Sequence, residues 1–246
     1  MSCEDEHHGH GGHGNQNHNH NHNHNHDHDH SHIAPIPTSS SQSLNSKIDT
    51  FKVSALNMAN PPDDLAKLFK SPEKKYEIHP TIKSDCDEQL IINVPFLNGS
   101  VKLYSLILRT NGNSYCPKTI KLFKNDKMID FDNIESKKPV QTVTHPQVGI
   151  ADDVDESENT VESDGDFVEH FLQRHKFTGV QQLTIFISDI YDESEDQCRI
   201  HSIELRGEFT ELNKDPVITI YESAANPADH KNLTAVEHQN NIQFGS

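Results

Sequence analysis

Tryptophan is absent from the 246 residues, cysteine occurs only four times, and no apolar run approaches a bilayer-spanning length of ~20 residues. Each absence narrows the reading. Without an indole, a carbohydrate site lacks the face on which sugars commonly stack. Cys3, Cys86, Cys116 and Cys198 are far apart and form no Cys-x-x-Cys pair, so they do not outline a disulfide framework. The opening Met1-Ser-Cys-Glu-Asp-Glu has no apolar segment of the secretory kind. Reduced thiols and a location in the cytoplasm and nucleus are therefore expected. Positive charge is scarce: 21 Lys and Arg face 38 Asp and Glu, a formal net charge of −17. That balance argues against nucleic acid and anionic membranes, which are bound by clustered Lys and Arg. It suits a solvated acidic surface, or one that meets a basic patch on a protein partner.

Catalytic signatures are also missing. No Gly-x-Ser-x-Gly elbow, phosphate-binding loop, dinucleotide fingerprint or His-Glu-x-x-His pair occurs. His170 and His175 are five apart, which suits neither a helix face nor a strand dyad. His79, His145 and His201 stand alone and are expected to be surface or structural residues. Cys86 lies in Ser84-Asp-Cys-Asp-Glu88, where the acids should raise its thiol pKa and suppress a thiolate. A non-enzymatic chain follows, with no catalytic residues and no small-molecule substrate.

What is present begins with a His/Asn tract. His18, His20, His22, His24 and His26 alternate with Asn, His28 and His30 follow Asp, and His32 closes the run. It reads either as a repeat-expanded disordered tail or as a loose binder of zinc, nickel or copper through neutral imidazoles. A Pro/Ser/Thr linker runs from Ile33 to about Ser46, so residues 1–46 are expected to be tail and linker. From Ile48 to Phe69 the spacing of Phe51, Ala55 and Met58 gives a helical signal. A short helix after Pro61-Pro62, capped by Asp63 or Asp64, would carry Leu65, Leu68 and Phe69.

Beyond Gln89 the pattern has period two. Strands are expected at Leu90–Val94, Val101–Leu108, Thr119–Phe123, Leu183–Ser188, Ser202–Phe209 and Val217–Tyr221. In the second, Val101, Leu103, Ser105 and Ile107 should share one face. Several short strands without long helices between them predict an antiparallel β-sandwich or jelly roll. Residues 151–166 hold eight acids and no base, which predicts an extended, disordered surface loop. Gly207 should permit a bulge or a close backbone approach.

Ordered blocks then become specific: Ser84-Asp-Cys-Asp-Glu-Gln-Leu-Ile-Ile92, Val101-Lys-Leu-Tyr-Ser-Leu106, Ile120-Lys-Leu-Phe-Lys-Asn125, Met128-x-Asp-Phe-Asp132, Lys176-Phe-Thr-Gly-Val180, Leu205-Arg-Gly-Glu208 and Tyr221-Glu-Ser-Ala-Ala-Asn-Pro-Ala-Asp-His230. From about residue 48 to 231 the chain resembles the PITH domain, first described in a proteasome-interacting thioredoxin-like protein. The resemblance implies a jelly-roll β-sandwich similar to galactose-binding domains, spanning residues 47–232 with a C-terminal tail at 233–246. It also implies association with the proteasome, as an adaptor or regulator of protein degradation. Its thioredoxin activity does not carry over, since no Cys-x-x-Cys precedes the sandwich. The candidate partner-binding residues are Ser84, Asp85, Asp87 and Glu88, with Glu222, Asn226, Asp229 and His230. The competing function is metal buffering by the His tract. No cofactor is expected beyond a divalent transition metal there.

Overall fold

The computed structural model describes residues 36–154 and 157–212. The chain divides into Met1–Ile36 and Pro37–Ser246, and everything below concerns the second unit. The His tract and the expected strand at Val217–Tyr221 lie outside the described residues.

Among the described residues nine strands form two antiparallel sheets. They are β1 (Ser54–Leu56), β2 (Ile82–Lys83), β3 (Leu90–Pro95), β4 (Gly99–Thr110), β5 (Pro117–Lys124), β6 (Gln141–Thr144), β7 (Phe167–Phe171), β8 (Gln182–Ile190) and β9 (Arg199–Glu211). One sheet has the order β1-β3-β8-β5-β6 and the other β2-β9-β4-β7. The pairs β2·β9, β3·β8, β4·β7 and β5·β6 are nested, as though one long hairpin had been folded. The pairs β4·β9 and β5·β8 join its halves laterally. That is jelly-roll topology with β1 added at an edge, so the expected fold class holds.

Between the sheets lie Leu90, Ile92 and Val94 of β3, Ile120 and Leu122 of β5, and Leu183, Ile185 and Ile187 of β8. They meet Val101, Leu103, Leu106 and Leu108 of β4 and Ile200, Ile203 and Leu205 of β9. A second cluster, Ile91, Phe123 and Phe186 with Ile129 and Ile134, covers the outer face of the larger sheet. This is why β3 and β8 read as continuous apolar runs rather than clean alternations.

The β4·β9 ladder breaks register twice, and the first break corrects the sequence reading. Leu103 pairs with Gly207 but Ser105 with Arg206, so Tyr104 is an extra residue. The bulge reverses the phase of β4. Val101 and Leu103 share the core with Leu106 and Leu108, rather than with Ser105 and Ile107. Gly207 makes this possible: a Cβ there would lie 2.1 Å from the Lys102 carbonyl oxygen. In the second break Arg109 pairs with Ser202 and Thr110 with Ile200, leaving His201 as the extra residue of β9.

Three other expectations change. The helical signal over Ile48–Phe69 gives one turn, Pro62–Leu65, followed by a 3-10 turn at Ala66–Leu68. Pro61 occupies the cap position and Asp63 and Asp64 sit in the first turn, while Leu65 and Leu68 are buried as expected. Upstream, Ser54–Leu56 is a strand on β3, and Phe51 is 99% exposed rather than on a packed face. Pairing with β3 outweighs a weak local helical preference.

The described part of the expected linker is packed. Leu44 is buried, its amide bonds the Leu205 carbonyl, and Asn45 bridges Lys70 and Ile203 carbonyls while accepting from the Leu205 amide. The acidic block is also tethered rather than free over its described part. Val161 and Ile78 amides bond Tyr76 and Asn159 carbonyls, and Lys75 pairs with Asp164. Beneath it Arg109, 0% exposed, donates to the Tyr76 and Val161 carbonyls and pairs with Asp166 at 3.0 Å. A buried cation supplies the attraction that net charge alone would not reveal.

Candidate functional site

The acidic loop after β2 is organised by hydrogen bonds to Asn57. This residue adopts φ 63°, a left-handed conformation that Asn tolerates. Its side-chain amide donates to the Asp87 carboxylate at 2.7 Å and to the Gln89 carbonyl at 2.7 Å. Its side-chain oxygen accepts the Cys86 amide at 2.9 Å, and its carbonyl accepts the Asp85 amide at 3.1 Å. The Gln89 amide closes the turn on Asp87 at 3.0 Å. Asp85, Cys86 and Asp87 are thereby held exposed, with Glu88 half-buried beside them.

Ser84 belongs to the foundation instead. It is 0% exposed, its hydroxyl accepts the Cys198 amide at 2.9 Å, and its own amide bonds the Cys198 carbonyl. An amide-capping serine is what its turn position suggests, but the partner lies far along the chain. Ser84 therefore has no surface from which to contact a partner itself. Burial pushes the Cys198 thiol up to about 12. Cys86 is exposed, and the neighbouring Asp85 charge raises its pKa, so it remains a poor thiolate nucleophile. Glu222, Asn226, Asp229 and His230 lie outside the described residues.

One grouping resembles a relay. His145 Nδ1 lies 2.8 Å from His170 Nε2, and His145 Nε2 lies 2.9 Å from the Thr110 hydroxyl. His170 therefore partners His145, not His175, across strands that the sequence does not juxtapose. Thr110 and His145 are fully buried, and desolvation drives His145 down to about 3. A hydroxyl and imidazole closed to substrate hold β4 and β7 to the 145–150 segment; they do not assemble a nucleophile, base and orienter in a cleft. Among the described residues no three His, Cys, Asp or Glu side chains converge as a metal site.

The sequence reading also missed an opening near β2 and β9, lined by Thr81, Lys83, Arg199 and His201 among others. Period-two patterning could not reveal it, because the His201 bulge interrupts that pattern.

Comparison with known proteins agrees with these blocks. A Schizosaccharomyces pombe PITH domain-containing protein is 31% identical over 205 residues, covering 82% of this chain and 90% of the relative. A Drosophila melanogaster PITH domain-containing protein is 35% identical over 191 residues, covering 77% and 81%. PITH domain-containing protein 1 of Danio rerio is 32% identical over 189 residues, covering 76% and 80%. Among solved structures, CBM32-3 from a family 31 glycoside hydrolase of Clostridium perfringens aligns with 12% identity and a TM-score of 0.40, covering 70% of this chain and 99% of that one. The C-terminal domain of a Bacteroides fragilis chitobiase aligns with 11% identity and a TM-score of 0.41, covering 71% and 99%. The PITH domain profile matches residues 34–225, and on that match and these identities the chain belongs to the PITH domain family.

Proposed function

We propose that this chain is a non-catalytic docking protein that associates with the proteasome and acts as an adaptor or regulator of degradation in the cytoplasm and nucleus. Family membership across residues 34–225 carries the reading. The Asn57-braced loop supports it, because exposed Asp85 and Asp87 are held in a fixed geometry that a basic surface on a partner would match. A preformed loop loses little conformational freedom on binding. Glu88 would extend that surface, and Glu222, Asn226, Asp229 and His230 would add to it. The full chain should co-migrate with assembled proteasomes on native gels. Free migration at every salt concentration would overturn the proposal.

A second reading rests on His18, His20, His22, His24, His26, His28, His30 and His32. In it the tract buffers zinc, nickel or copper through neutral imidazoles, independently of the sandwich. Zinc and nickel titration calorimetry on the full chain, and on a chain lacking residues 1–32, separates the two; equal affinity would exclude the tract.

A further inference from the structure

A cleft of about 440 Å³ opens beside β2 and the start of β9, lined by Thr81, Lys83, Asn111, Asp152, Arg199 and His201 among others. That volume falls in the range of small-molecule sites. Three observations give it a chemistry.

The first is a pair of cations that form no ion pair among the described residues. Lys83 and Arg199 are directly opposed in the β2·β9 register, and both line the cleft. Like charges directly across an antiparallel pair repel. Among the described residues neither has a carboxylate partner, although Lys75, Lys121, Lys137, Arg109 and Arg206 all do. Asp152, the cleft's own described acid, has an oxygen occupied by the Asn111 amide at 2.6 Å.

The second is the presentation of Arg199. Its guanidinium stacks on Tyr115, 3.4 Å from the ring centroid, and its Nε donates to Gln197 at 3.1 Å. The plane is fixed, and the terminal nitrogens make no hydrogen bond among the described residues.

The third is His201, the bulged residue of β9. It is 6% exposed, and Nδ1 lies 3.0 Å from the Ile78 carbonyl and 3.2 Å from the Thr81 hydroxyl. A carbonyl can only accept, so Nδ1 carries the proton and Nε2 presents a bare lone pair. That Nε2 is buried and, among the described residues, has no partner. Protonation would not relieve it, because burial pushes the ring down to about 4. Bulges commonly re-aim a side chain beside a functional site.

We propose that this cleft binds a small organic carboxylate whose neighbouring atom bears an O–H or N–H. Lys83 and Arg199 receive the anion, and His201 Nε2 accepts from the adjacent donor. The same chemistry occurs in a free hydroxy acid and in a peptide C-terminus, where the last amide N–H adjoins the carboxylate.

The probes are glycolate, N-acetylglycine, acetate and the neutral glycolamide, titrated into the full chain by amide NMR with thermal unfolding in parallel. Glycolate or N-acetylglycine should shift residues 78–83 and 199–202 and raise Tm. The stronger of the two identifies the source of the donor. Acetate should bind at least about tenfold more weakly, the effect of losing one hydrogen bond of this kind, and glycolamide should not bind. Lys83→Gln, a half-buried substitution that leaves the core intact, should weaken the better probe by about tenfold or more. His201→Phe should abolish the preference over acetate. Absence of binding by both donor-bearing anions, equal binding of acetate, or an unchanged Lys83→Gln chain would overturn the proposal.

Discussion

Two irregularities interrupt the β4·β9 ladder, and their surroundings differ. At Tyr104 the extra residue brings Leu106 and Leu108 into the same core as Leu103, and Gly207 lets the strands close. At His201 the extra residue leaves an imidazole nitrogen without a partner among the described residues, beside an open cleft. Arg109 stands next to this second break and ties it beneath the acidic segment. One bulge serves packing. The other weakens local satisfaction of polar groups while the rest of the sandwich supplies the stability. Such local costs are commonly retained where a protein binds something.

The largest test of this contrast is Arg109→Ala. Removing the buried cation leaves the Asp166 carboxylate without its ion-pair partner and takes one of two donors from each of the Tyr76 and Val161 carbonyls, and should cost about 3 kcal/mol in urea unfolding. Arg199→Ala should cost less than about 1 kcal/mol, because its charge is not engaged in an ion pair among the described residues. Equal losses would erase the contrast.

Gly207→Ala probes the first bulge. The added methyl must displace the Lys102 carbonyl, which belongs to backbone, so about 2 kcal/mol of stability should be lost. An unchanged unfolding midpoint would mean that the strands are not held that closely.

The pH response probes the second. Desolvation holds His201 at about 4 and His145 at about 3, with Arg109, Lys70 and His79 reinforcing the effect at His201. The folded rings remain neutral, whereas unfolded histidines take up protons below about 6.5. Stability is therefore fully present above that pH. It falls as pH drops from about 6.5 toward 4, by roughly 1 kcal/mol per pH unit for each ring. Urea midpoints at pH 7 and 5 should show the fall, and His201→Gln should remove one ring's share. A midpoint that stays constant or rises toward pH 5 would contradict the burial of these neutral rings.

The most local expected effect concerns Asn57. Asn57→Ala removes the bonds bracing Asp85 to Gln89 and should cost about 1 kcal/mol, with faster amide exchange in the loop. Unaltered exchange would show that the loop does not depend on Asn57.

These contrasts explain which parts of the molecule were legible in the sequence. β3, β4, β5, β8 and β9 carry the core in runs long enough to display a period, and their buried Leu, Ile and Val residues identify them. β1, β2, β6 and β7 have two to five residues each and lie at sheet edges, where too few side chains are buried to make a pattern. The acidic turn at 84–88 was visible as composition, but its support by Asn57 and Cys198 requires segments brought together by the fold. His145 and His201 looked alike as isolated histidines. Only tertiary structure shows that one is bonded at both nitrogens and the other at one. Arg109 was equally silent: nothing local distinguishes a buried Arg from a surface one.

The central claim is docking to the proteasome, and its most direct test is an affinity pull-down from cell extract with the full chain, read by mass spectrometry and by peptidase activity of the eluate. The account predicts proteasome in stoichiometric amount, reduced when Asp85 and Asp87 are changed to Lys. A full chain that recovers no proteasome would contradict it.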